Sequence, residues 1–96
     1  MQGDKLMDMI WKFPFEISDT VRIEMPKNAY ILHIECQNNI PCMWAIVDPV
    51  ADTEIRKFRI IGTGHPFTYN PEFLGFISTF QMGQFVWHVF KIRREE

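Results

Sequence analysis

Ninety-six residues with a net charge of -2 and an isoelectric point near 5.9 make a single domain with a modest core. The balance argues against a general duplex DNA or RNA binder, which carries a basic excess. Hydrophobic residues at 47% and charged residues at 23% argue against a disordered chain.

The first residues carry charge and lack the apolar stretch of a signal peptide. No apolar run approaches the roughly 20 residues that span a bilayer. The expected location is the cytoplasm. Residues 1–8 read as a flexible arm, with Met7 or Met9 as an alternative start, and residues 9–96 as one β domain.

Period-two alternation governs that domain. Met9, Trp11, Phe13 and Phe15 alternate with Ile10, Lys12, Pro14 and Glu16, which predicts a strand with one buried face. Pro14 has no donor, so this strand lies at an edge or ends there. After a turn at Ser18-Asp19, Val21, Ile23 and Met25 alternate with Arg22 and Glu24 in a second strand, broken by Pro26-Lys27-Asn28. Residues 29–37 form a third strand that is apolar on both sides, Tyr30, Leu32 and Ile34 on one and Ala29 and Ile31 on the other. Asn38-Asn39 supplies a hairpin turn, because Asn tolerates positive φ. Residues 42–48 return, with Met43, Ala45 and Val47 opposite Trp44 and Ile46. Two-sided apolarity implies cover on both faces, as in the centre of a sandwich, under a helix or at a subunit contact. A homo-oligomer is expected on that ground.

A polar connection at residues 48–52 leads to a fifth strand over residues 54–61, Phe58 and Ile60 facing one way and Lys57 and Arg59 the other. Residues 62–71 are a loop rich in breakers. Asn70 as a cap and Pro71 at the first helical position set up one helical turn. Residues 76–81 form a sixth strand, Met82-Gly83 a tight turn, and residues 84–93 the last strand. The fold class is all-β: a small antiparallel sandwich or barrel of about seven strands with at most one short helical turn.

Few residues carry chemistry. Cys36 and Cys42 read as reduced thiols, since their spacing is not that of a metal or redox pair. His33, His65 and His88 are scattered, so neither a metal nor another cofactor is expected. No nucleophile–base pair is spelled out. Asp48 and Asp52 serve as a general acid/base pair or, more simply, as turn-formers. No catalytic residue is assigned and no enzyme is expected.

The stretch from Lys57 to Pro66 joins a basic strand to Gly62-Thr63-Gly64-His65. Glycines let a backbone approach a phosphate, and Thr63 and His65 add donors. Arg59, Thr63, Gly64 and His65 are therefore candidate ligand-binding residues. The competing reading is a glycine-hinged turn, because a P-loop ends in Gly-Lys-Ser/Thr and opens a helix. Arg56, Lys57 and Arg59 either charge this site or keep an exposed strand soluble. Phe67, Tyr69 and Phe73 sit in the loop, where they either pack locally or anchor a partner.

Several blocks resemble a known family: Ile10-Trp11-Lys12-Phe13-Pro14, Ile23-Glu24-Met25-Pro26, the run from Ile40 to Pro49, Ile61-Gly62-Thr63-Gly64-His65-Pro66, Phe80-Gln81 and Val86-Trp87-His88-Val89-Phe90. The chain is similar, from Ile10 to Ile92, to small uncharacterised proteins found mainly in bacteriophages and prophages, the domain of unknown function DUF7352. That family assigns no catalytic residues, and Cys36 has no counterpart in its pattern.

The resemblance implies a non-enzymatic phage protein, in the cytoplasm of a bacterial host, that inhibits an antiviral defence. It would dock on an effector protein or sequester a phosphorylated nucleotide signal, with no duplex nucleic acid and no membrane as partner. The alternatives are a structural or accessory β module of the phage particle or of host takeover, and a small nucleotide hydrolase.

Overall fold

The structure is a computed structural model and describes residues 7–94. Most of the expected arm, residues 1–6, and the end of the tail, residues 95 and 96, lie outside the described residues. Seven strands appear in the expected order: β1 (Met9–Pro14), β2 (Thr20–Pro26), β3 (Tyr30–Gln37), β4 (Ile40–Val47), β5 (Thr53–Gly62), β6 (Leu74–Met82) and β7 (Phe85–Ile92). They form a three-stranded sheet, β1-β4-β3, and a four-stranded sheet, β2-β5-β7-β6, with every pairing antiparallel. The all-β expectation holds, as a sandwich.

Asn38 and Asn39 both adopt positive φ, 53° and 64°, and make the β3–β4 hairpin tight. Gly83 does the same between β6 and β7 at φ 61°. The expected helical turn is a hydrogen-bonded turn without a helix. Asn70 O accepts from the N–H groups of Phe73 and Leu74, and Asn70 Oδ1 accepts from Glu72 N–H at 2.9 Å.

The core lies between the sheets. Val21, Ile23 and Met25 of β2, Phe58 and Ile60 of β5, and Val89 of β7 meet Ile34 of β3 and Met43, Ala45 and Val47 of β4. Fully burying a side chain such as Phe58 or Met43 contributes roughly 1.5–3 kcal/mol.

Two assignments of faces require correction. A bulge shifts the β3–β4 register between Ile31 and His33. It pushes Leu32 outward and puts Ile31 and Ile34 on one side, so Tyr30, Leu32 and Ile34 do not share a face. Arg56 belongs with Phe58 and Ile60 on the inner parity of β5, not with Lys57 and Arg59. Its Nη1 donates to Ala29 O at 3.0 Å and its guanidinium sits 5.9 Å from the Phe58 ring centroid. A second bulge lies in β6 between Phe76 and Ser78.

Candidate functional site

Residues 63–73 run as a strap over the outer face of the four-stranded sheet. Beneath it Ile61, Leu74 and Phe90 form a second buried cluster, with Phe73 and Ile92 packed against them. The strap is fastened at both ends. At its start, Thr63 N–H donates to Val86 O at 3.1 Å, and Thr63 Oγ1 lies 2.7 Å from His88 Nε2. The other imidazole nitrogen of His88 lies 2.9 Å from Thr79 Oγ1. At its end, Arg93 N–H donates to Phe73 O at 2.6 Å.

The strap encloses a cleft of about 430 Å³ against β2 and β5. Leu74, Ile92 and Phe73 give it an apolar floor, and Thr20, Arg22, Arg59, Thr68, Asn70 and Arg94 supply its polar groups. Strand register explains the gathering of charge. Thr20 lies opposite Arg59 and Arg22 opposite Lys57, so the outward residues of β2 and β5 meet side by side. Arg94 is held by Glu72 at 2.6 Å and lies over the Phe73 ring at 5.2 Å. Arg59 has no such neighbour: its Nε is buried and makes no hydrogen bond among the described residues.

The candidate ligand residues therefore divide. Arg59 faces this cleft, whereas Thr63 and His65 line a separate hollow of about 280 Å³ with Gly62 and Trp87. Gly64 is exposed at φ 88°, a conformation suited to glycine. His65 N–H closes a turn onto Gly62 O at 3.0 Å, and its ring meets Trp87 edge-on at 6.2 Å. The Thr63 hydroxyl is engaged by His88. This end of the loop has the geometry of the glycine-hinged turn.

Phe67 and Tyr69 lie 5.7 and 6.1 Å from Phe90, which also meets Phe76 at 5.7 Å. Phe67 and Tyr69 remain exposed on this aromatic patch, while Phe73 is half-buried in the cluster below. The sequence reasoning missed Arg22, Thr20, Thr68, Asn70 and Arg94. The alternation of Arg22 with Val21 and Ile23 marked one of them as outward-facing, but strand order was needed to bring it to Arg59.

The remaining candidates have structural roles. Asp48 Oδ1 accepts from Val50 N–H at 3.2 Å and so builds a turn, whereas the backbone O of Asp52 accepts from Lys27 N–H at 2.8 Å and joins the chain after β2 to the chain before β5. Cys36 and Cys42 are free thiols on opposite faces of the three-stranded sheet. Among the described residues, no cluster of His, Cys, Asp and Glu is placed to hold a metal ion. Among the described residues, no helix is long and apolar enough to cross a membrane.

The family model of the domain of unknown function DUF7352 matches residues 7–96. The chain belongs to the DUF7352 family. No curated protein and no solved structure matches it. The cleft and the aromatic patch both fall within the DUF7352 region.

Proposed function

We propose that this DUF7352 protein is a non-catalytic binding protein that captures a small phosphorylated ligand, of nucleotide type, in the cleft beside Arg59. The observation that carries this reading is the buried, unpartnered Nε of Arg59 in a cleft shared with Arg22. A buried donor without a partner costs about 1–3 kcal/mol. A phosphate oxygen supplies the missing acceptor, and guanidinium groups bind phosphate through paired, charge-assisted hydrogen bonds. The Thr20 and Thr68 hydroxyls add donors on the same cleft. Among the described residues, no carboxylate or imidazole lines it to serve as a general base, which favours capture over hydrolysis.

The biological setting we propose is phage counter-defence: sequestration of a nucleotide signal in the bacterial cytoplasm. It rests on the resemblance to phage and prophage proteins. A second reading, docking on a host effector protein, is favoured by the patch around Phe90, where Phe67, Tyr69 and Phe76 are 40%, 55% and 60% exposed.

Thermal denaturation with a panel of mono-, di- and cyclic nucleotides tests the ligand reading. A ligand at about 100 times its Kd stabilises by about 2.7 kcal/mol, a clear rise in Tm. The rise should vanish in Arg59→Ala, and denaturation should release the ligand chemically unchanged. A released product would indicate hydrolysis, and no rise with any phosphorylated compound would end the reading.

A further inference from the structure

The Arg59 cleft offers many donors and few acceptors. Arg22, Arg59 and Arg94 line it, and a guanidinium can only donate. Asn70 Oδ1 already accepts from Glu72 N–H at 2.9 Å, so its free amide group is the Nδ2 donor. Thr20 and Thr68 add hydroxyls, and among the described residues no carboxylate lines the cleft. Every nucleobase carries donors as well as acceptors, and a cleft that read one needs acceptors placed to meet them. An open aromatic face for a base to stack on is missing from the lining too. The Phe73 ring carries the Arg94 guanidinium at 5.2 Å and packs against the Ile61–Leu74–Phe90 cluster. The three cations are also divided. Arg22 and Arg59 project from the adjacent strands β2 and β5, with Thr20 opposite Arg59 and Arg22 opposite Lys57. Arg94 lies two residues past the end of β7, and its Nη2 donates to Glu72 Oε1 at 2.6 Å.

We propose that the cleft reads a diphosphate group, free or carried by a nucleoside, and leaves the base unread; this deepens the capture reading above and rests on it. One phosphate is held by Arg22 and Arg59, each offering a fork of N–H donors. The second phosphate reaches Arg94 and draws it off Glu72. That exchange is a fair contest, because the Arg94 and Glu72 side chains are 63% and 69% exposed and an ion pair so open to water is weak. Glu72 therefore sets the selectivity. A single phosphate on Arg22 and Arg59 leaves Arg94 with its carboxylate, and a second one gains the third guanidinium. A nucleoside attached to the diphosphate projects to solvent.

Isothermal titration calorimetry of the full chain, in metal-free buffer at one salt concentration, tests this with inorganic pyrophosphate, orthophosphate, AMP, ADP, GDP and UDP. Pyrophosphate and the three nucleoside diphosphates should bind within roughly threefold of one another. Orthophosphate and AMP should bind roughly tenfold more weakly, for want of one charge-assisted contact. Arg94→Gln should bring pyrophosphate down toward the level of orthophosphate. Glu72→Gln should strengthen pyrophosphate binding several-fold by releasing Arg94. Circular dichroism establishes that both variants are folded. Three results overturn the proposal and leave the capture reading standing: AMP as tight as ADP, a preference beyond about tenfold among ADP, GDP and UDP, or a pyrophosphate-to-orthophosphate ratio unmoved by Arg94→Gln. Failure of every compound to bind overturns both.

Discussion

Thr63 and His88 hold each other across the outer sheet: the Thr63 hydroxyl lies 2.7 Å from Nε2 of a histidine whose Nδ1 lies 2.9 Å from the Thr79 hydroxyl. The contact spans 25 residues of sequence and ties the strap to the middle of β7. It fixes where the strap begins, and so where Thr68 and Asn70 fall against β2 and β5. A hydroxyl both donates and accepts, so this fastening does not depend on which imidazole nitrogen carries the proton.

Breaking the fastening should cost stability. Thr63→Val and His88→Ala are each expected to lower it by about 1 kcal/mol. For a domain of this size that is a fall of about 4–8 °C in Tm, measured by thermal denaturation. Because the two residues share one contact, the double variant should lose less than the sum of the single losses.

Arg59→Met should have the opposite effect on the free protein. It removes a buried donor that has no partner and keeps the aliphatic stem against the sheet, so the ligand-free Tm should rise, by about 1 kcal/mol in stability. The same variant should bind no phosphorylated ligand. A ligand-free protein less stable than the parent would show that Arg59 serves the fold instead.

Gly62 is constrained by its neighbours, not by its backbone angle. A Cβ there would lie 2.8 Å from His65 Nδ1 and 3.1 Å from Trp87 Cζ3. Gly62→Ala must push the exposed His65 ring aside and crowd Trp87, a cost of about 1 kcal/mol. Much of that cost should disappear in a His65→Ala background, and urea titration of the single and double variants measures the difference.

The cysteines should remain thiols under oxidising conditions. Cys36 points toward the core side of β3, and Cys42 to the outer side of β4. Their side chains therefore diverge from neighbouring strands. Intact mass after mild oxidation should show no loss of two hydrogens. Cys36, half-buried, should react with a thiol reagent before the buried Cys42.

The seven strands were legible because each carries its own alternation and its own turn chemistry, as at Asn38-Asn39 and Gly83. Those are local properties. The bulge at Leu32 was not legible, since one extra residue in an apolar run leaves the alternation looking intact while reversing which side is buried. Arg56 was misplaced because a charged residue on an inner face violates the pattern, and only the nearby Ala29 carbonyl explains it. Of the cleft, Arg59 was named from its strand. Its true neighbours are 37 and 35 residues away in sequence, at Arg22 and Arg94, and adjacency of that range is fixed by strand order and by the path of the strap.

Four strands border the two sheets, and each carries an interruption. β1 ends in Pro14 and β2 in Pro26, whereas β3 and β6 are broken by the bulges at Leu32 and Ile77. A free strand edge is a template for another strand, and proline and bulges spoil the template. Growth by adding strands side by side is therefore discouraged on all four flanks. What remains for contact with other molecules is the two broad faces, one bearing the arginine cleft and aromatic patch and the other the adjacent Ile10, Ile46 and Tyr30 of β1, β4 and β3.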